Sequence, residues 1–330
     1  MERKKVLVST APFGATSAAP INLMKDADVD FTINPFGRKM TEVELAEIID
    51  EFDCLIAGTE AITSRVLANA RKLKLIARVG IGLDSVDLVQ AREQNIRVSY
   101  TPDAPSPAVA ELTIGHLLAC ARMIPKAFVT IKAGEWQKNE FTGHELRGKH
   151  LGLVGYGRIA QEVASLAEAF GMIIHTFDPF VSAEDFDTKI AVHEDVIGLA
   201  HHCTHLSIHC GLTEETRNII NEKVLDALAK GNGPAVLINC ARGGLVDEDA
   251  ALAALEDGRL DACAFDVYDE EPLDPEHPLS KHDNFIGTPH IGAATIESQE
   301  RVAAQTIKAL LAALDGKPEL GWVNKPAESM

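Results

Sequence analysis

Leu151-Gly152-Leu153-Val154-Gly155-Tyr156-Gly157-Arg158-Ile159-Ala160 decides the fold of this 330-residue chain. The apolar run Leu151–Val154 predicts a buried strand, and Ile159–Phe170 is patterned as a helix. Between them Gly155, Gly157 and Ala160 occupy the three small positions of the G-x-G-x-x-G/A pattern in its strand–turn–helix setting. The first glycine permits a tight turn and the second admits a pyrophosphate to the backbone. The third small residue lets the helix pack on its strand. The helix N-terminus then offers N–H groups and partial positive charge to phosphates. Asp178, about twenty residues further on, ends the next predicted strand, Ile173–Phe177. A carboxylate there accepts from ribose hydroxyls and repels a 2′-phosphate, which predicts NAD rather than NADP. The bland alternative is a glycine turn that binds nothing. Strand, helix and distal acid together weigh against it.

The same alternation extends on both sides. After the motif come His205–His209, Val236–Asn239, Ala262–Phe265 and Asn284–Ile286, then a last helix over Ile296–Leu314. Before it lie Val6–Ser9, Phe31–Ile33, Cys54–Ala57, Leu75–Arg78 and Arg97–Ser99, interleaved with helical stretches Thr41–Ile49, Ser64–Ala70 and Leu88–Gln94. Thr41 and Glu44 have capping-box spacing. Strands alternating with helices predict parallel sheets covered on both faces. Thr101–Pro107 holds three prolines and reads as a hinge, followed by a helix over Ala108–Arg122. Lys126–Lys149 is more polar, carries Trp136 and Phe141, and reads as an arm over a subunit partner. The tail beyond Asp315, with Gly316, Pro318 and Gly321, reads as irregular.

Composition bounds the function. Hydrophobic residues make up 46% of the chain, enough for large cores. The formal charge of −18 argues against nucleic-acid or anionic-membrane partners. No apolar stretch approaches the ~20 residues that cross a bilayer. Cys54, Cys120, Cys203, Cys210, Cys240 and Cys263 form no Cys-x-x-Cys pair and read as reduced thiols, and the short apolar run after the basic head suits a strand better than a signal peptide. The expected location is the cytoplasm.

Four motifs then carry a resemblance that covers nearly the whole chain. They are Gly155–Ala160 with Asp178, Asn239-Cys240-Ala241-Arg242-Gly243-Gly244-Leu245-Val246-Asp247-Glu248, Asp266-Val267-Tyr268-Asp269-Glu270-Glu271-Pro272, and Thr288-Pro289-His290-Ile291-Gly292. Arg78–Asp84 and Ala110–Thr113 match as well. In order and spacing the chain resembles the D-isomer-specific 2-hydroxyacid dehydrogenases, closest to the phosphoglycerate dehydrogenase branch. The resemblance implies an α/β fold of two Rossmann-like, doubly wound parallel-sheet domains. The nucleotide domain, residues 104–296, would be inserted in a flavodoxin-like substrate domain made of 1–103 plus 297–330. It also implies a homodimer, with a tetramer as the alternative.

Oxidising a 2-hydroxy acid needs a hydride acceptor, a base for the hydroxyl proton and an anchor for the carboxylate. His290 suits the base, with an ordinary pKa of about 6.5. Glu271 is placed to fix its tautomer, and Arg242 to hold the carboxylate. By resemblance these three carry those roles, and Gly155, Gly157, Arg158, Ile159, Asp178, His209, Cys210, Cys240, Ala241, Asp266, Gly292 and Ala293 line the cofactor. Each has a bland reading: Arg242 a surface ion pair, Glu271 a loop acid, His290 a turn histidine, Asp266 a structural acid. All three catalytic candidates follow predicted strand ends, where α/β ligands bind. Arg78, Val79 and Gly80, with Arg242, are the substrate-binding candidates; a turn after Leu75–Arg78 can present N–H groups to a carboxylate.

The run His201-His202-Cys203-Thr204-His205, with His209-Cys210, imitates a metal cluster. Strand alternation splits Thr204 from His205 and His209, and His201 and His202 fall where a helix should end, so no metal is expected. The expected substrate is a small anionic 2-hydroxy acid and its 2-keto partner, of the 3-phosphoglycerate class. Phosphoglycerate enzymes carry Arg-Ser where this chain has Ala57-Gly58, so sulfolactate and hydroxypyruvate or glyoxylate stand as alternatives. The rival class is an NAD(H)-sensing, corepressor-like binding protein.

Overall fold

The computed structural model describes residues 3–10, 13–14, 17–27, 29–181, 189–229, 233–317 and 321–325. The backbone divides into two compact units, Met1–Pro105 with Ala293–Met330, and Ser106–Gly292. Both cuts fall slightly inside the expected 104–296 segment, so Ala293 belongs to the first unit.

The first unit contains β1 (Lys5–Val8), β2 (Asp30–Ile33), β3 (Cys54–Ala57), β4 (Leu75–Arg78) and β5 (Arg97–Ser99). They form a parallel sheet in the order β2-β1-β3-β4-β5. Strands β3 and β4 are buried along their whole length because both faces are covered. Side chains alternate between the two layers. Leu7, Leu55 and Ile76 pack with Leu45, Val66 and Leu67 of helices Glu42–Ile48 and Ser64–Asn69. Val6, Ile56 and Leu75 pack with Met24, Ile307 and Leu310 of helices Ala19–Asp26 and Ile296–Leu314. The capping box of Thr41 and Glu44 forms as the spacing predicts. The tail is less irregular than expected. Val323 N–H donates to Val98 O at 2.9 Å, and Asn324 bridges Val98 N–H and Ile96 O, which covers the exposed edge of β5. Pro318 lies outside the described residues.

The second unit opens with helix Ser106–Arg122, whose first turn takes in Ser106 and Pro107 from the proline-rich stretch. Proline is tolerated there because first-turn N–H groups have no intrahelical partner. Met123 then adopts a left-handed φ of 50° and a second helix, Ile124–Lys132, follows. The segment expected as an arm from Lys126 onward thus begins as a helix, none of whose residues is buried. Next come β6 (His150–Val154), β7 (Ile173–Phe177), β8 (Ala191–Val192), β9 (His205–Ile208), β10 (Val236–Asn239), β11 (Ala262–Phe265) and β12 (Phe285–Gly287). All are parallel, in the order β12-β11-β10-β9-β6-β7-β8. The order reverses between β6 and β9, which opens a crevice at the carboxyl ends of those strands.

Candidate active site

The glycine turn sits at that crevice. Gly155 has φ 90° and donates its N–H to Phe177 O at 2.8 Å. A Cβ on residue 155 would stand 2.9 Å from Cys210 N and 3.0 Å from His209 C, so the loop after β9 packs directly on the glycine. A Cβ on Gly157 would meet nothing within 4 Å, and Gly157 is the N-cap of helix Arg158–Ala169. Ala160 is fully buried against the sheet, Ile159 half-buried and Arg158 exposed. Asp178 follows β7 and accepts from Tyr156 N–H at 2.7 Å and Phe180 N–H at 2.9 Å, one on each oxygen. Each carboxylate oxygen has a second lone pair, so ribose hydroxyls still find acceptors. The residues therefore fit a dinucleotide: a turn tight enough, an open second glycine, a helix N-terminus and a distal acid. Burial pushes the His209 imidazole down to about 3, and its Nε2 lies 2.8 Å from Ser207 Oγ. Burial also pushes the Cys210 and Cys240 thiols up to about 11 and about 12, so neither is a thiolate at neutral pH.

The acid–base residues come from the next three strand ends. Asn239, last in β10, accepts from Ala241 N–H at 3.0 Å and donates to Arg242 O at 2.8 Å. That clamp fixes the short loop carrying Cys240, Ala241 and Arg242. A Cβ on Gly243 would fall 1.8 Å from Tyr268 O, so the loops after β10 and β11 touch through a glycine. Glu271 receives Tyr268 N–H on Oε1 at 3.2 Å and meets His290 Nδ1 on Oε2 at 2.7 Å. Burial raises the Glu271 pKa, but the hydrogen bond and charge of His290, the Tyr268 N–H and the charge of Arg242 outweigh it and hold the carboxyl below its ordinary value. With Nδ1–H on the carboxylate, neutral His290 keeps its lone pair on Nε2.

His290 itself is held in a left-handed backbone, φ 53°, which costs a non-glycine residue about 1–3 kcal/mol. Asp266 over-determines it. Its backbone carbonyl accepts His290 N–H at 2.9 Å, and its carboxylate accepts Ile291 N–H, Gly292 N–H and the Thr288 hydroxyl at 2.8, 2.7 and 2.6 Å. Three neighbours thus escaped the sequence reading. Asn239 and Thr288 stood in quoted motifs without a role. His116, on helix Ser106–Arg122, was given no role either; it is buried with Nε2 3.3 Å from Thr288 Oγ1 and Nδ1 3.8 Å from Cys240 Sγ.

In the first unit, Arg78 ends β4, is buried, and donates Nη1 to Val79 O at 2.6 Å. Val79 N–H goes to Ala57 O at 2.8 Å and Gly80 N–H to Thr101 Oγ1 at 2.9 Å. Backbone donors for a carboxylate on this turn therefore begin at Ile81. Val79, Gly80 and Ala293 line a cavity in this unit. Among the described residues, no group of three or more His, Cys, Asp or Glu side chains is placed to hold a metal. The histidines of the 201–209 run bond elsewhere: His202 to Gly198 O, His205 to His144 and Thr204, His209 to Ser207.

Residues 114–292 match the family model described as D-isomer specific 2-hydroxyacid dehydrogenase, NAD binding domain. The chain belongs to the D-isomer specific 2-hydroxyacid dehydrogenase family. It is 42% identical over 290 residues to the D-3-phosphoglycerate dehydrogenase of Methanocaldococcus jannaschii, covering 87% of this chain and 54% of that protein. It is 41% identical over 268 residues to the hydroxypyruvate reductase of Thermotoga maritima, covering 80% of this chain and 86% of that protein. The chain thus spans about half the length of the phosphoglycerate dehydrogenase it matches. Among solved structures it resembles the TT0316 protein of Thermus thermophilus, with a TM-score of 0.87 and 35% identity over 97% of this chain and 99% of that one. The parallel sheets and the glycine turn of this dehydrogenase-family chain agree with that placement.

Proposed function

We propose that this member of the 2-hydroxyacid dehydrogenase family interconverts a small anionic 2-hydroxy acid and its 2-keto acid with NAD. The observation that carries the reading is the 2.7 Å pair of His290 and Glu271, formed beside the Arg242 loop on strand ends next to the dinucleotide turn. When bound, NAD accepts the hydride that leaves the carbinol carbon. His290 Nε2 takes the hydroxyl proton, and the depressed Glu271 carboxylate stabilises the resulting imidazolium. Arg242 holds the substrate carboxylate and polarises the reacting oxygen. Asp266 positions His290 through the loop. In the first unit Arg78 adds positive potential, and Val79 and Gly80 form wall. Gly155, Gly157 and the first turn after Arg158 face the pyrophosphate, and Asp178 the ribose.

The working protein is a homodimer, or a tetramer built from it, in the cytoplasm, with neither nucleic acid nor membrane as partner. Phe128, Val129 and Ile131 on helix Ile124–Lys132 and Trp136 beyond it are exposed apolar side chains on one continuous segment, which supports a subunit contact there. No single helix among the described residues is long and apolar enough to cross a membrane, and all six cysteines are free. Sedimentation of the wild type and of Trp136→Ser reads the subunit contact.

The deciding test is NADH oxidation with a panel of 2-keto acids. Arg242→Ala, Glu271→Gln and His290→Ala should each keep the fold and NADH binding yet lose at least ~100-fold in turnover. Near-normal activity in His290→Ala overturns the assignment. Tight NADH binding with no turnover on any keto acid moves the chain to the NAD(H)-sensing class.

A further inference from the structure

Helix Ser106–Arg122 packs on β10, β11 and β12, the three strands whose ends carry Arg242, Glu271 and His290. Thr113, His116 and Cys120 fall at i−3, i and i+4 on its buried face. A histidine on that face costs desolvation that an apolar side chain would avoid. Both of its ring nitrogens instead meet side chains of the active loops, Nε2 at 3.3 Å from Thr288 Oγ1 and Nδ1 at 3.8 Å from Cys240 Sγ. The helix also closes on the His290 loop at Val109. A Cβ on Gly292 would stand 3.1 Å from Asp266 Oδ2 and 3.3 Å from Val109 Cγ2.

The proton order along this row follows from its donors. Thr288 has one hydroxyl proton, and Asp266 Oδ1 takes it at 2.6 Å. Toward His116 the Thr288 oxygen therefore only accepts, which places the ring proton on Nε2. Nδ1 is then bare and faces Cys240, whose buried thiol keeps its proton and is a weak donor. Burial lowers the His116 pKa more than the charge of Asp266 raises it, so the ring is neutral at pH 7. A neutral ring of the opposite tautomer would draw the Thr288 proton to itself and leave Asp266 one donor short. That donor acts together with Ile291 N–H and Gly292 N–H, which fix the loop on either side of the left-handed His290 backbone.

We propose that His116 is a positioning residue for the acid–base histidine: its Nε2–H, given to the Thr288 hydroxyl, commits that hydroxyl to Asp266 and so holds the 288–292 loop that carries His290. It touches neither substrate nor cofactor in this role and acts through Thr288 and Asp266. Bonds in such a buried row strengthen one another, so losing the first donor loosens the last acceptor. The inference deepens the dehydrogenase reading and rests on it for the reaction that His290 serves.

Two variants separate this role from space filling. His116→Gln keeps an N–H near the Nε2 position, and His116→Leu fills the volume without one. In His116→Leu, kcat for the keto acid turned over fastest should fall about tenfold, the size of one net hydrogen bond, with NADH affinity within about twofold of wild type. His116→Gln should bring kcat back to within about threefold of wild type. Adding His116→Leu to Thr288→Val should cost little more than Thr288→Val alone, because both act through one row of bonds. Amide hydrogen exchange of Ile291 and Gly292 should quicken in the Leu variant and not in the Gln variant. NMR of the imidazole nitrogens, with the His116 ring identified by its loss in His116→Gln, should find the proton on Nε2. A ring proton on Nδ1 overturns the proposal, and so do wild-type kcat and exchange in His116→Leu, equal losses in the two variants, or additive losses with Thr288→Val. The tautomer and the Gln variant decide the case even where the Leu variant does not fold. Failure of the dehydrogenase reading shows separately: no keto acid oxidises NADH, while the tautomer and the exchange of Ile291 and Gly292 still report on His116.

Discussion

The two order-reversal crevices of this chain follow one topological rule and hold opposite chemistry. In the second unit the crevice between β6 and β9 is built from backbone: Gly155, the open Gly157 and the first turn of helix Arg158–Ala169. Its buried titratable neighbour, His209, is neutral. In the first unit the crevice between β1 and β3 is filled by side chains, Ser9, Thr10 and the buried acid Glu60. Strand order says where a ligand goes. The residues of the two crossing loops decide which charge it carries. One crevice presents backbone N–H groups to a ligand, and the other is walled by side chains.

The contrast extends to acid, and there the largest effect is expected. All twelve histidines fall between His116 and His290, within the second unit. Burial pushes His175 down to about 4, helped by the neighbouring His150, His193 and His202, and it pushes His205 and His209 to about 3. The unfolded chain takes up these protons near pH 6.5, before the folded one does. Stability is therefore full above pH 6.5 and is lost as pH falls toward 4 and 3. The rings of His150, His175 and His193 form a hydrogen-bonded row, 2.7 and 2.9 Å apart, across β6, β7 and the residue after β8. A second proton on that row removes an acceptor and parts the sheet edge. Limited proteolysis with fragment mapping between pH 7 and 4 should cut residues 106–292 first. Earlier cutting of residues 3–105 breaks the comparison.

Next come the two crevice glycines. Gly155→Ala meets backbone atoms that cannot step aside and a φ that alanine resists by about 1–2 kcal/mol, with overpacking of similar size added. Gly58→Ala lies outside the left-handed region but meets Thr10 Oγ1, Thr10 Cβ and the buried Glu60 Oε2 at 2.6, 2.8 and 2.8 Å, so overpacking of about 1–3 kcal/mol is expected at that site without the backbone cost of Gly155→Ala. NADH affinity, read by fluorescence titration, should fall by at least about tenfold in Gly155→Ala and stay unchanged in Gly58→Ala. Equal losses in both would mean the crevices do not act separately.

What was legible follows the same division between local and distant causes. Strands β3, β4, β7, β10 and β11 were readable from their apolar runs, and helix Ile296–Leu314 from its periodicity, because burial on both faces leaves a local mark. Arg242, Glu271 and His290 were readable as polar groups just past buried strands. Helix Ile124–Lys132 was not, since Pro125 and two lysines dilute a stripe that stays exposed. Two-residue β8 is too short to show any period. Glu60 carried no signal at all: its burial depends on Ser9, far away in sequence. The four groups that Asp266 holds come from another loop, and so does the fixed backbone of His290. Such contacts are invisible to any window shorter than the crossover between strands.

The smallest expected effect is the sharpest test of the anion-accepting crevice. Asp178 braces Tyr156 and Phe180 by their N–H groups and is the acid proposed for the ribose, beside a turn otherwise suited to negative charge. Asp178→Asn keeps one acceptor oxygen and the packing but loses the charge, while Asp178→Ala loses both. If repulsion of a 2′-phosphate sets the preference, both variants should narrow the ratio of NAD to NADP affinity by about tenfold, equivalent to ~1.4 kcal/mol. If hydrogen bonds to the ribose set it, Asp178→Ala alone should weaken NAD while NADP stays poor in both. A wild type that already prefers NADPH removes Asp178 as the residue that sets the choice between the two cofactors.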